Sequence, residues 1–331
     1  MKSATRPALA LAALITAAVF GQITLSHAQA QTAARFPDHP VRLIVPFPAG
    51  GPTDVLARFL GQNLSEQWGK SVVIENRAGA NSAIGAAVVA SAPADGYTLL
   101  MAMDTTLVMN PITTSVLPYK PEDFDTISLA AMNTSILVVP ANGPKTVEEL
   151  IAKARANPGK LNYGGGIIPT RLAAVMFNKL AGIDAVFVPF KGSSDIVQAL
   201  MDGSIDYAVD GIAPHLPLIN DGKLRALAKL NERSLQSLPD LKPLNAIAGL
   251  KDLGEMSTWV GFVAPVGTPK PVIDKIQQAV VKATQDTEIQ KKLLPLGIVA
   301  VNSTPKEFAD YVRTERARWE PVLRESGIPL N

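Results

Sequence analysis

Residues 41–54 read V-R-L-I-V-P-F-P-A-G-G-P-T-D and pass without a break into V-L-A-R-F-L-G-Q-N-L at 55–64. Val41, Leu43 and Val45 alternate as the apolar positions of a strand, and Pro46 and Pro48 end it because neither can donate to a ladder. Ala49, Gly50 and Gly51 supply a turn without bulky side chains. Pro52 suits a first helical position, and Thr53 and Asp54 fall in the first turn. The stretch predicts a strand, a small-residue loop and a helix N-terminus. First-turn amides lack intrahelical partners and carry partial positive charge, so a carboxylate or other oxyanion fits against them. An ordinary βα turn fits the same residues. The stretch has neither G-x-x-x-x-G-K-[ST] nor G-x-G-x-x-G, which disfavours a nucleotide.

Upstream, residues 1–30 run from Lys2 and Arg6 through an apolar stretch, Ala8 to Phe20, to Ala28-Gln29-Ala30. That order matches the n-region, h-region and A-x-A site of a secretory signal peptide, with cleavage expected before Gln31 and a periplasmic destination. The apolar run is shorter than the ~20 residues that span a bilayer. The 331-residue chain contains no cysteine, which excludes disulfides, a thiolate nucleophile and a lipid-modified cysteine after the signal. Its 31 Lys and Arg face 29 Asp and Glu; without Lys2 and Arg6 the balance is 29 to 29, so no nucleic-acid surface is expected. About 300 mature residues, 47% of the whole chain being hydrophobic, exceed one compact core and predict two lobes.

The pattern of short apolar runs and helical segments continues. Strands are expected at Ser71 to Glu75 and Thr98 to Met101, a polar loop at Asn76 to Ser82, and a helix at Ile84 to Ser91. This β-α-β-α order predicts a mostly parallel sheet covered by helices in each lobe, whose ligand edge lies at the strands' carboxyl ends. That edge brings together the first loop, the loop with Asn81 and Ser82, and Met103-Asp104-Thr105-Thr106. Two apolar runs between Ile127 and Pro140, separated by Asn133-Thr134, mark a crossing into a second lobe. There, Thr146 caps a helix from Val147 to Ala156, with Glu149 completing a capping box. A Gly-rich loop, Gly164 to Thr170, precedes a helix from Arg171 to Ala181 for which Thr170 supplies a cap oxygen. Ile205 to Val209 is a strand ending at Asp210, and Trp259 to Ala264 marks the return crossing. Helices at 271–287 and 305–326 close the chain. The expected lobes are 31–131 with 255–331, and 132–254; the last helix could pack on either.

Seven stretches carry a resemblance: P-F-P-A-G-G-P-T-D (46–54), V-V-I-E-N-R-A-G-A (72–80), D-G-Y-T-L-L (95–100), Y-K-P-E-D-F (119–124), V-P-F-K-G-S (188–193), D-G-K-L-R-A-L-A (221–228) and A-P-V-G-T-P-K-P-V (264–272). In this order they resemble the Bug family, the extracytoplasmic receptors of tripartite tricarboxylate transporters. The resemblance implies a two-lobed, hinge-closing α/β periplasmic binding protein of the Venus-flytrap type. It implies a carboxylate ligand, permease partners, no cofactor and no metal, and the protein is expected to act as a monomer. The implied contacts are Phe47, Ala49, Gly50, Gly51, Pro52, Thr53 and Asp54, assisted by Asn81, Ser82, Asp104 and Thr105, with Gly165, Gly166, Ile167, Thr170 and Asp210 opposite.

The chain departs from the family pattern at Ile167 to Arg171, where a Gly- and Ser-rich loop ending Ser-His is common. Two isoleucines facing the cleft would favour a ligand with an apolar or aromatic middle, such as terephthalate; isoleucines pointing into the core would not. Arg171 could fork onto a carboxylate or lie on the surface. Asp54 and Asp210 are unexpected beside an anion. Asp54 could orient amides or water, and Asp210 could accept from a hydroxyl, an ammonium or a protonated acid. No H-E-x-x-H, G-x-S-x-G or S-x-x-K pattern supports an exported hydrolase, and His215 reads as a satisfied or surface histidine. A receptor that presents its closed form to a membrane sensor is the other alternative.

Overall fold

The computed structural model describes residues 35–253 and 256–326. The expected signal peptide at 1–30, the expected cleavage site before Gln31 and the expected lobe boundary at 254–255 lie outside these residues. β1 (Val41–Val45) forms where its alternation places it, with Val41, Leu43 and Val45 fully buried. It lies between β2 (Val72–Asn76) and β3 (Thr98–Met103), parallel to both. α1 (Pro52–Trp68) buries Leu56, Leu60 and Leu64 at four-residue spacing and ends at Gly69, whose φ of 63° is the left-handed conformation glycine tolerates. α2 (Ala83–Ala90) links β2 to β3. After β3 come a buried π-helical turn, Thr105–Met109, and α3 (Asn110–Thr113).

β4 (Phe124–Asn133) and β5 (Ser135–Pro140) belong to different sheets, with Thr134 alone between them. The second unit then runs α4 (Val147–Ala156), β6 (Asn162–Gly165), α5 (Ile168–Ala181), β7 (Val186–Pro189), α6 (Ser193–Asp202), β8 (Tyr207–Gly211), α7 (Leu216–Asn220) and β9 (Leu224–Lys229). β10 (Thr258–Pro265) returns to the first sheet, followed by α8 (Lys270–Gln285), α9 (Thr287–Leu293), β11 (Ile298–Ala300) and α10 (Pro305–Glu325). The sheet orders are β11-β4-β10-β3-β1-β2 and β7-β6-β8-β5-β9. Both are mixed. β1, β2 and β3, like β6, β7 and β8, are parallel βα strands, whereas β4, β10 and β5, which adjoin the crossings, pair antiparallel.

The helix expected at 271–287 forms as α8, which ends at Gln285, and a second helix not expected from the sequence follows directly: Asp286 Oδ1 accepts from the Glu288 and Ile289 N–H groups (2.8 and 3.2 Å) and caps α9. The helix expected to begin at Arg171 begins at Ile168, so Thr170 is not its cap; the Thr170 hydroxyl donates to Ile167 O at 3.0 Å.

The crossings are stitched to one another. Buried Asn231 donates through Nδ2 to Thr134 Oγ1 (3.3 Å) and Ser257 Oγ (3.1 Å), while Leu230 N–H donates to Ser135 O (2.9 Å). α10 packs on the first sheet, where Phe308 and Tyr311 meet the Trp259 indole edge-on at centroid distances of 5.5 and 5.7 Å. A Cβ on Gly261 of β10 would stand 2.3 Å from the Phe308 ring and 3.0 Å from Ser128 O. Gly261→Ala should therefore overpack this contact and lower stability by about 1–3 kcal/mol, read as a shifted urea midpoint at constant m-value.

Candidate functional site

A cleft of about 770 Å³, part of it open to solvent, lies between the sheets. Three helices begin on it. α1 starts after Gly51, α5 after Ile167 and α6 after Gly192; all three residues before the first turns have extended ψ values and none makes a side-chain capping hydrogen bond. Gly51, Pro52 and Thr53, then Ile167 and Thr170, then Gly192, Ser193, Ser194 and Asp195 line the space. Each helix has at least ten residues, so each presents first-turn amides and the positive end of its dipole to the same volume. Lys191 adds an exposed ammonium with no ion-pair or hydrogen-bond partner among the described residues. Asp195 is a carboxylate in the same lining, at the exposed first turn of α6.

Asp54 does not line the cleft. It is 3% exposed and holds the first loop from behind, accepting from Gly50 N–H (2.9 Å), Arg58 Nε and Nη2 (2.9 and 3.0 Å) and Asn76 Nδ2 (2.9 Å). Asn76 Nδ2 also donates to Phe47 O at 3.1 Å. Burial acts to raise the Asp54 pKa, but the hydrogen bonds from Arg58, Gly50 and Asn76 outweigh it and hold the carboxyl below its ordinary value. Gly50 thus has its amide committed to Asp54, while Gly51 and the residues after it face the ligand space.

Of the other residues expected at the site, Phe47, Ala49, Gly166 and Asp210 line the cleft. Asn81 and Ser82 border an outer groove that shares Phe47, Gly166 and Ile167 with it. Ser82 is buried, and the Thr106 hydroxyl donates to its Oγ at 3.0 Å. Asp104 does not line the cleft: it is buried at the start of the π-helical turn, beside a small cavity lined also by Met256, Ser257 and Trp319. Burial pushes its carboxyl up to about 7, the Thr105 N–H donating to it at 2.6 Å opposes the rise, and the Glu315 charge adds to it. Thr105 is fully buried and Gly165 lies within β6; neither lines the cleft. Arg171 stacks its guanidinium over Phe187 at 4.2 Å. The two isoleucines divide: Ile167 faces the cleft and Ile168 is buried in the core.

Sequence reasoning missed the α6 edge of the site. Its signal was an internal echo: V-P-F-P-A-G-G-P-T-D at 45–54 reappears as V-P-F-K-G-S-S-D at 188–195, each following a strand and opening a helix. It also missed the partner of Asp210. His215 is fully buried and its Nε2 lies 2.9 Å from Asp210 Oδ2. Hinge residues Met103, Asn133, Ser135 and Thr258 complete the floor.

Among the described residues no group of three or more potential ligands could hold a metal, and no helix is long and apolar enough to cross a membrane. Residues 56–328 match the family described as "Tripartite tricarboxylate transporter family receptor". The chain is 34% identical over 313 residues, 93% of each chain, to the UPF0065 protein in the tcbD-tcbE intergenic region of Pseudomonas sp. (strain P51). It superposes on R. palustris Rpa4515 with adipate at a TM-score of 0.85, with 31% identity over 89% of this chain and 99% of that one. MatC (Rpa3494) from Rhodopseudomonas palustris with bound malate gives 0.79, with 29% identity over 87% and 100%. Uncapped helix starts on a cleft between two mixed sheets, together with this match over most of its length, place the chain in the tripartite tricarboxylate transporter receptor family, whose members are solute-binding receptors and not enzymes.

Proposed function

We propose that this protein is a periplasmic receptor, exported by a signal peptide cleaved before Gln31. In this reading it captures a di- or tricarboxylate between its lobes and delivers it, as a monomer, to the permease subunits of a tripartite tricarboxylate transporter. The observation that carries the reading is the convergence of three uncapped helix N-termini on one cleft. Such termini hold anions through main-chain N–H groups, and adipate and malate are bound by the neighbours at 31% and 29% identity. The first sheet ends with β4 at Asn133 and the second begins with β5 at Ser135, so a ligand touching both lobes favours the closed arrangement.

Between the amide-rich walls an apolar strip runs beside the polar floor residues Asn133, Ser135, Thr258 and Asp210. Phe47, Pro48, Met103 and Ile167 would flank the ligand's middle, which supports a diacid with a methylene or aromatic stem such as terephthalate. In a thermal-shift panel of adipate, terephthalate, succinate and citrate at one common concentration, adipate or terephthalate should give the largest rise in Tm, about 5 °C or more where that concentration is about a hundredfold above its Kd. The largest shift coming from citrate would refute the apolar stem.

Closure also has a steric signature. A Cβ on Gly211 would lie 3.1 Å from Pro52 Cγ, and one on Gly192 would lie 3.3 Å from Pro48 Cγ, so the lobes touch at glycines. Gly211→Val should prop the lobes apart and weaken carboxylate binding about tenfold or more with little loss of Tm in the unliganded protein; calorimetric titration reads the first and a melt the second. Asp54→Ala should release Gly50, Arg58 and Asn76 together, weakening binding about tenfold and, by freeing a buried hydrogen-bond network, costing about 1–3 kcal/mol of stability.

A further inference from the structure

Asp104 is 2% exposed, and among the described residues no Lys, Arg or His forms an ion pair with it. Its carboxylate accepts from Thr105 N–H at 2.6 Å, from the Thr105 hydroxyl at 3.3 Å and from the Trp259 main chain of β10. From α10 it faces a second carboxylate, Glu315, which is 6% exposed and accepts from Trp319 Nε1 at 2.9 Å. The cations of the cluster are engaged elsewhere: Arg318 pairs with Glu315 at 3.5 Å, and Arg233 and Arg318 act on the Tyr311 hydroxyl. Burial therefore dominates at Asp104 and lifts it to about 7, with the Glu315 charge adding to the rise.

The surroundings tie this acid to lobe closure. A cavity of about 320 Å³ lies against Asp104, with Met109 and Trp319 of the first unit, Pro169 and Thr170 of α5 in the second, and Ser135 and Ser257 of the crossings in its walls. Asp104 is the one ionisable carboxyl, amine or imidazole among the described residues of that lining. Ser135, Thr170 and Thr258 also line the ligand cleft, so a single layer of side chains separates Asp104 from the acid expected there. Met103, the residue before Asp104, lines the cleft as well, and its sulfur accepts from the Thr53 hydroxyl of α1 at 3.1 Å.

Capture acts on Asp104 twice, with one sign. Closing the lobes narrows a cavity whose walls belong to both and strips solvent from it, and a dianion in the cleft adds negative charge one side-chain layer away; each disfavours the ionised carboxyl. We infer that this receptor takes up a proton as it captures its ligand, with Asp104 as the group protonated, so that carboxylate binding strengthens as pH falls through neutrality. Proton and acid then strengthen each other's binding by the same factor. The inference rests on the carboxylate reading above and adds the proton as a second ligand.

Calorimetric titration with adipate, or with terephthalate where adipate does not bind, tests it in buffers of different ionisation enthalpy from about pH 6.5 to about pH 8, where both acids stay ionised. For a rise of about one unit in the Asp104 pKa on capture, Kd should fall about fourfold from pH 8 to pH 6.5, with about 0.4 proton taken up per ligand at pH 7. Asp104→Asn, neutral at every pH, should hold Kd within about 1.5-fold over that range and take up no proton. Glu315→Gln should move the gain in affinity to lower pH, because removing a neighbouring negative charge lets Asp104 ionise more readily. Without ligand, folded Asp104 keeps its proton up to about pH 7 whereas the unfolded chain loses it at about pH 4, so the wild type should lose Tm relative to Asp104→Asn between those values and hold a constant difference above them. Tight binding that neither varies with pH nor exchanges a proton overturns the proton link and leaves the carboxylate reading standing. Uptake that survives in Asp104→Asn and vanishes in His215→Gln overturns the assignment to Asp104, and a Glu315→Gln profile identical to wild type does so even where Asp104→Asn does not fold. Failure of both acids to bind overturns this inference together with the reading beneath it.

Discussion

A helix that starts without a side-chain cap leaves its first amides to whatever enters the space in front of them, and that constraint organises this molecule. Gly51, Ile167 and Gly192 stand where Ser, Thr, Asp or Asn would ordinarily satisfy those donors. The first loop nevertheless contains an acid. Asp54 is turned away from the cleft, tied to Gly50, Arg58 and Asn76, so its charge braces the loop without occupying the anion site. Proline contributes in the same sense: Pro52 begins α1 with no amide to satisfy and a fixed φ, which keeps the loop shaped around the remaining donors.

At the hinge, by contrast, the main chain of the crossings is bonded across from one to the other. Thr134 is held on both sides, its N–H donating to Gly297 O and its O accepting from Ile212 N–H, while Asn231 ties the outgoing and returning chains together. A core cluster runs on from Leu100 and Trp259 of the first sheet to Leu137, Val209 and Phe177 of the second unit. Asp104 and Glu315 sit behind this hinge, and the rise of Asp104 to about 7 follows from burial there.

Much of this was legible from local punctuation. Pro46, Pro48, Gly50, Gly51 and Pro52 fix a strand end, a turn and a helix start with little help from tertiary structure, and β1 and α1 formed as read. The separation of apolar runs by Asn133-Thr134 likewise located the first crossing. What sequence could not give was direction. Whether Asp54, Asp104 or Ile168 faces a cleft or a core depends on packing partners far along the chain: Asn76 for the first, Trp259 and Glu315 for the second, the cluster around Phe177 for the third. Thr170 was read as a cap because its residue type favours that role, whereas Ile167 in extended conformation begins the helix one turn earlier. His215 was unreadable for the same reason, since its partner Asp210 lies across a strand end and a turn.

Where the lobes touch across the cleft, the meeting residues are Pro48 with Gly192 and Pro52 with Gly211. None of these has rotamers to freeze, so bringing the jaws together costs essentially no side-chain conformational entropy, whereas a lysine or glutamate rim would lose about 1.5–2 kcal/mol per immobilised chain. Contact energy from a small acid is then not consumed in ordering the rim. With neither ion pairs nor interlocked side chains at these two points to break, they also add little barrier to reopening and release.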